Sequence, residues 1–187
     1  MSVKVLCFGG ASSSCGDNPL GDVVMDVTKG LMNVMVISLP IASARRLRRK
    51  FDRLTKCSRP VVCVGKSLGA VRMFRVLNSG RRWERVSRVV SIDPTDALRM
   101  IFGHDIRGGR VSRITTNYYQ SDSSPQGQTV NGAANIRVMG TDHMGIMHSL
   151  TVRAGIRTAI WEADDRYRVW AKEVAGVRNV YPYSERR

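Results

Sequence analysis

The run Pro60-Val61-Val62-Cys63-Val64-Gly65-Lys66-Ser67-Leu68-Gly69 joins a β-branched apolar segment to a turn of small residues. Four apolar residues follow a proline and end at a glycine, the pattern of a short strand buried on both faces. Beyond Ser67 a helix is expected to about Asn78, ended by Ser79-Gly80. Gly65-x-Ser67-x-Gly69 therefore lies at a strand–turn–helix junction. Small flanking residues there permit a sharp turn that lifts the serine hydroxyl to the sheet edge, and the helix brings its N-terminal amides alongside. Gly65-Lys66-Ser67 also matches the end of a phosphate-binding loop, G-x-x-x-x-G-K-S/T. Its first glycine would have to stand at position 60, which is Pro60, and the intervening residues are the strand itself. The phosphate loop is excluded.

Apolar runs and amphipathic stretches alternate on both sides of this junction. Strands are expected at Val3–Phe8, Val34–Ser38, Val86–Ile92, Val111–Tyr119 and Ala134–Met139, besides Val61–Val64. Helices are expected over Asp22–Asn33, over 43–56 and from Gly145 to about Trp161, with Ser121–Gly132 a polar loop. In 43–56, Ala44, Leu47, Phe51 and Leu54 share one face, while Arg45, Arg46, Arg48, Arg49, Lys50 and Arg53 occupy the others. Strands separated by helical segments imply an α/β fold. The expected form is a three-layer α/β/α sandwich around a mainly parallel six-stranded sheet, one domain over 1–187 with 175–187 a basic tail.

The chain has 187 residues, 43% hydrophobic and 24% charged, with 17 glycines and 6 prolines, which excludes disordered and collagenous classes. No apolar run reaches the roughly 18 to 20 residues of a membrane-spanning helix. Met1–Gly10 leads straight into a strand without a secretory layout, so a soluble protein made in the cytoplasm is expected, its final location open. Thirty Lys plus Arg against fifteen Asp plus Glu give a net charge of +15, a field that favours anionic partners. With 6% aromatics and no helix, finger or RNP motif, nucleic acid is not the expected partner. Cys7, Cys15, Cys57 and Cys63 follow no metal or CxxC spacing and read as free, packed thiols.

In open parallel sheets, functional groups gather at the carboxyl ends of the strands. Ser67 follows the third strand. His143, in Gly140-Thr141-Asp142-His143, follows the sixth and is the candidate base; His148 reads as structural and His104 as a weaker substitute. Asp93, in Ser91-Ile92-Asp93-Pro94, follows the fourth strand and is the favoured acid, with Asp122, after the fifth, as the alternative. Asp96 and Asp142 are explained locally as cap or turn residues. Gly9-Gly10-Ala11-Ser12 follows the first strand, so an N–H from Gly10 or Ala11 would join that of Leu68 in an oxyanion hole. No carboxylate or cysteine cluster accompanies the histidines, and neither metal nor cofactor is expected.

Phe8-Gly9-Gly10, Gly65-Lys66-Ser67-Leu68-Gly69, Ser91-Ile92-Asp93-Pro94 and Gly140-Thr141-Asp142-His143 make residues 3 to 160 resemble an α/β-hydrolase of the small lipase, esterase and cutinase kind. The resemblance implies a minimal version of that fold, lacking its first two strands and any large lid. Some lipases place the acid in an Asp-Pro turn like Asp93-Pro94. Asn117-Tyr118-Tyr119-Gln120, Gly127 and Gly132-Ala133 are loosely similar to lipase-like proteins too. Lys66 stands where His, Tyr or Asp is frequent, and reads either as a solvated side chain or as a cation that draws an anionic substrate.

The expected function is hydrolysis of a carboxylic ester through an acyl-enzyme, with Ser67, His143 and Asp93 as triad. The basic surface would hold the protein on an anionic envelope, lipid or polymer. The alternative is a catalytically silent protein of the same fold that binds partners in a larger assembly through its arginine-rich surface.

Overall fold

The computed structural model describes residues 3–10, 19–31, 34–39, 43–56, 59–80, 82–96 and 106–177. The elements in chain order are β1 (Val3–Phe8), α1 (Pro19–Val27), β2 (Val34–Leu39), α2 (Ala44–Leu54), β3 (Val61–Lys66), α3 (Leu68–Ser79) and β4 (Val86–Ile92). There follow β5 (Ile106–Arg107), β6 (Thr115–Tyr119), β7 (Val130–Asn131), β8 (Ala134–Arg137) and α4 (Leu150–Val177). Six strands form one sheet in the order β2-β1-β3-β4-β6-β8, and every neighbouring pair is parallel. Because β2 lies on one side of β1 and β3 on the other, chain direction across the sheet reverses between β1 and β3, where such sheets open a crevice.

The central strands β1, β3 and β4 are largely buried on both faces because helices cover both, while the edge strand β8 is exposed and β2 partly so. Val62 and Val64 of β3 pack toward α1 and α4, through Leu20, Val24, Val152, Ile156 and Ile160. Val61 and Cys63 pack on the opposite face toward α2 and α3, through Leu47, Phe51, Met73, Phe74 and Leu77. Cys7 and Cys63 are free and buried, and burial pushes the Cys7 thiol up to about 12. Cys15 and Cys57 lie outside the described residues.

Several boundaries differ from the sequence expectation. The first helix runs Pro19–Val27 instead of 22–33: proline suits a first helical position, and a turn ending at Gly30, with φ +78°, closes the helix. The fifth strand of the main sheet begins at Thr115 and not at Val111, because Gly109–Ile114 is a 3-10 turn that buries Val111. The Thr115 hydroxyl donates to the Val111 carbonyl at 2.7 Å and holds that turn. β8 ends at Arg137 instead of 139. The polar loop 121–132 contains β7, which pairs with β5 in a small second sheet that the sequence did not suggest. The last helix starts at Leu150, after a separate 3-10 turn at Gly145–His148, and continues to Val177. The expected tail thus begins within a helix, and residues 178–187 lie outside the described residues. Among the described residues no helix is long and apolar enough to cross a membrane.

Candidate active site

The junction between β3 and α3 is as tight as the spacing of Gly65 and Gly69 implied. A Cβ on Gly69 would stand 2.2 Å from the carbonyl oxygens of both Phe8 and Gly9, so α3 starts directly against the end of β1. A Cβ on Gly65 would stand 2.7 Å from Ala70 Cα. Between them Ser67 adopts φ 54°, ψ −133°, which costs an L-residue about 1–3 kcal/mol. Its N–H donates to the Ile92 carbonyl at 3.0 Å, anchoring the turn to β4. The strain turns the hydroxyl out of the strand, and Ser67 is partly exposed.

Asp93 has the second left-handed conformation among the described non-glycine residues, φ 46°, immediately after β4. Its N–H donates to the Tyr118 carbonyl at 2.6 Å, and its side chain is fully buried. Burying a carboxylate is tolerable only with donors around it. Oδ1 accepts from the Gln120 N–H at 3.0 Å, while Oδ2 accepts from Gln120 Nε2 at 3.1 Å and lies 2.6 Å from His143 Nδ1. Gly127 lies flush against this carboxylate, since a Cβ there would overlap Oδ1.

His143 stands between β8 and the 3-10 turn at Gly145–His148. Asp142 opens that turn, its Oδ1 accepting from the Gly145 N–H at 2.5 Å, and the His143 N–H donates to Ser123 Oγ at 3.2 Å. His143 Nε2 lies 3.0 Å from Ser67 Oγ. With Nδ1 protonated and donating to Asp93, Nε2 is an acceptor for the serine hydroxyl. The three side chains thus form one hydrogen-bonded line, carboxylate to imidazole to hydroxyl.

Asp122, the alternative acid, is placed elsewhere. It accepts from Arg137 Nη2 at 2.9 Å and from the Gly140 N–H at 3.0 Å, and the Arg137 guanidinium holds its carboxyl below the usual range. It ties down the loop leading to His143 without reaching the imidazole. His148 is exposed in its 3-10 turn, Asp96 pairs with Arg75 at 3.2 Å, and His104 lies outside the described residues. Of the expected oxyanion donors, Ala11 also lies outside the described residues. Gly10 abuts the nucleophile candidate: a Cβ there would stand 3.3 Å from Ser67 Cβ and 3.9 Å from its Oγ. Leu68 opens α3, so its amide belongs to the first turn, whose N–H groups have no partner within the helix. Gly10 and Ser67 flank the crevice between β1 and β3. Among the described residues no group of three or more His, Cys, Asp or Glu comes together as a metal would require.

Two features escaped the sequence reading. Gln120, fully buried, holds Asp93 with its N–H and side-chain amide, while its Oε1 accepts from the N–H groups of Asp122 and Ser123, both at 2.9 Å. Its only signal in the sequence was its place directly after the strand beside Asp93. Lys66 is 6% exposed, which corrects the expectation of a solvated side chain.

No family model and no curated protein matches the chain. Solved structures do match in shape. One is a protein assigned to the α/β superfamily of hydrolases from Xanthomonas campestris pv. campestris, with 11% identity and a TM-score of 0.58 over 84% of this chain and 97% of that one. An acetyl xylan esterase has 13% identity and a TM-score of 0.55, covering 87% and 98%. ClbQ from the colibactin NRPS/PKS pathway has 10% identity and a TM-score of 0.55, covering 88% and 99%. At such identities the likeness speaks for the fold alone. With its parallel sheet, its strand–serine–helix turn and these neighbours, the chain has the α/β-hydrolase fold.

Proposed function

We propose that the protein is a serine hydrolase that cleaves a carboxylic ester through an acyl-enzyme. The observation that carries this reading is the unbroken line Asp93 Oδ2, His143 Nδ1 and Nε2, Ser67 Oγ, with spacings of 2.6 and 3.0 Å. Ser67 Oγ attacks the ester carbonyl while His143 Nε2 takes its proton. The negative oxygen that forms is held by the Gly10 and Leu68 N–H groups, with Ala11 as the further candidate. His143 returns the proton to the departing alkoxide, and the alcohol leaves. Water then attacks the acyl-enzyme, gives its proton to Nε2, and the acid departs as Ser67 regains the proton. Asp93 keeps the imidazole in the required tautomer and stabilises it when protonated. No step calls for a metal or cofactor.

The test is intact-mass labelling with a fluorophosphonate. A single adduct on the wild type that disappears in Ser67→Ala and His143→Ala supports the reading, and no adduct on folded protein overturns it. The second reading, a silent protein that binds partners, draws on α2. Arg45, Arg46, Arg48, Arg49, Lys50 and Arg53 are all exposed there, a surface suited to an anionic envelope, lipid or polymer. The first reading uses the same surface differently, to hold an active hydrolase where its esters are, and labelling of Ser67 separates the two.

A further inference from the structure

Lys66 directly precedes Ser67, and Met144 directly follows His143. Ser67 Oγ lies 3.0 Å from His143 Nε2, and the neighbouring pair repeats the approach, with Lys66 Nζ 3.8 Å from Met144 Sδ. A thioether is a weak, uncharged acceptor and a poor partner for an ammonium. The carboxylates whose charge reaches Lys66 are Asp93 and Asp142, both engaged elsewhere: Asp93 with His143 and Gln120, Asp142 with the Gly145 N–H. Burial pushes the ammonium below its ordinary value, and these two carboxylates only partly oppose it. Among the described residues no anion contacts this ammonium, and a buried cation so placed is costly to hold. Its cover is also insecure, because Met144 is 53% exposed and its unbranched side chain turns readily.

We propose that Lys66 is a substrate-binding residue that takes an anionic group on the ester, within a lysine's reach of the scissile carbonyl. This rests on the serine hydrolase reading and narrows its substrate class to esters that carry a carboxylate or phosphate near the reacting bond. Met144 turns aside as the substrate enters, and the anion replaces the thioether with a charge-assisted hydrogen bond. Nothing covalent happens at Lys66. It positions the carbonyl against Ser67 by holding the far end of the molecule.

Two measurements keep this inference separate from the reading beneath it. In Ser67→Ala, which needs no turnover, calorimetric titration with monomethyl succinate and with methyl phosphate should show binding of at least one. That binding should weaken about tenfold or more when Lys66→Met is added. In unlabelled protein, of a preparation whose separate aliquot takes the fluorophosphonate, kcat/KM is compared for the p-nitrophenyl esters of butyric acid and succinic acid. The succinate-to-butyrate ratio should fall about tenfold in Lys66→Met, chiefly through KM, and recover in part in Lys66→Arg. Arg85→Gln, exposed at the amino end of β4 and away from the strand ends that carry Ser67 and His143, should leave the ratio alone. Equal losses on both esters, or an unchanged ratio together with unchanged binding, would overturn the anion site while labelling still upheld the serine hydrolase. Absent labelling with retained Lys66-dependent anion binding would do the reverse.

Discussion

His143 Nδ1 lies 2.6 Å from Asp93 Oδ2, while Asp122, the alternative acid, commits its carboxylate to Arg137 and the Gly140 N–H. The two acids therefore separate by mutation. Asp93→Asn should lower kcat on a neutral ester by about 10⁴, since an amide favours the wrong imidazole tautomer. Asp122→Asn weakens only a loop anchor, and its loss should stay within about tenfold, the scale of one exposed ion pair. Steady-state kinetics on both variants decide between them.

Gln120 should matter to stability as well as to turnover. Gln120→Leu removes one donor from buried Asp93 and the acceptor of the Asp122 and Ser123 N–H groups. Leaving such buried groups unpaired should cost about 1–3 kcal/mol in urea unfolding. Because Ser123 Oγ in turn holds the His143 N–H, kcat should fall with it. Unfolding unchanged from wild type would show that the loop does not depend on this amide.

Two glycine substitutions should differ in kind. At Gly69 a methyl group meets backbone oxygens at 2.2 Å, so Gly69→Ala should cost about 3 kcal/mol and abolish labelling of Ser67 by displacing the turn. At Gly140, with φ +67° and no atom within 4 Å, Gly140→Ala should cost about 1 kcal/mol from backbone strain alone. Thermal melting of both, read beside labelling, checks the contrast.

Acid stability should depend on Asp26, which joins α1 to α4. Lys29 and Arg153 both bond its carboxylate and hold it at about 2, against 3.8 ordinarily. The folded state thus gives up this proton more readily than the unfolded chain does. Its contribution is complete above 3.8 and is lost as pH falls toward about 2. Asp26→Asn should flatten that part of the stability profile, measured against wild type by denaturant titration at each pH.

The cations of α2 sit partly at its N-terminal end, where the helix dipole disfavours positive charge. Reversing Arg45, Arg46, Arg48 and Arg49 to glutamate should raise thermal stability, by about 0.3–1 kcal/mol for each charge in the first turn. The same variant should lose most of its salt-sensitive binding to phosphatidylserine vesicles. Unaltered binding would remove α2 as the contact.

The central strands were legible because burial on both faces leaves an unmistakable apolar run, as in Val61–Val64 and Val86–Ile92. Val111–Ile114 alternates apolar ends with Ser112 and Arg113 and is a turn that buries only Val111: so short a stretch does not separate strand from turn. β5 and β7, two residues each, exist only because Ile106 and Val130 meet, and no local pattern encodes that. Ser67, Asp93 and His143 were findable because each follows a strand and the sheet gathers strand ends. The burial of Gln120 and of Lys66 was not, because whether a polar side chain is buried depends on loops packed from far along the chain.

That dependence also sets a clock. Ser67 and His143 are 76 residues apart, and Asp93 and His143 are 50 apart. At a synthesis rate of about 5–20 residues per second, the strained serine turn is made several seconds before its base exists. On the proposed serine hydrolase reading, an emerging chain therefore carries Ser67 before its imidazole partner, and reactivity arrives only when β8 has docked at the far edge of the sheet and delivered His143. On that reading, esters close to the ribosome are safe from the nascent protein.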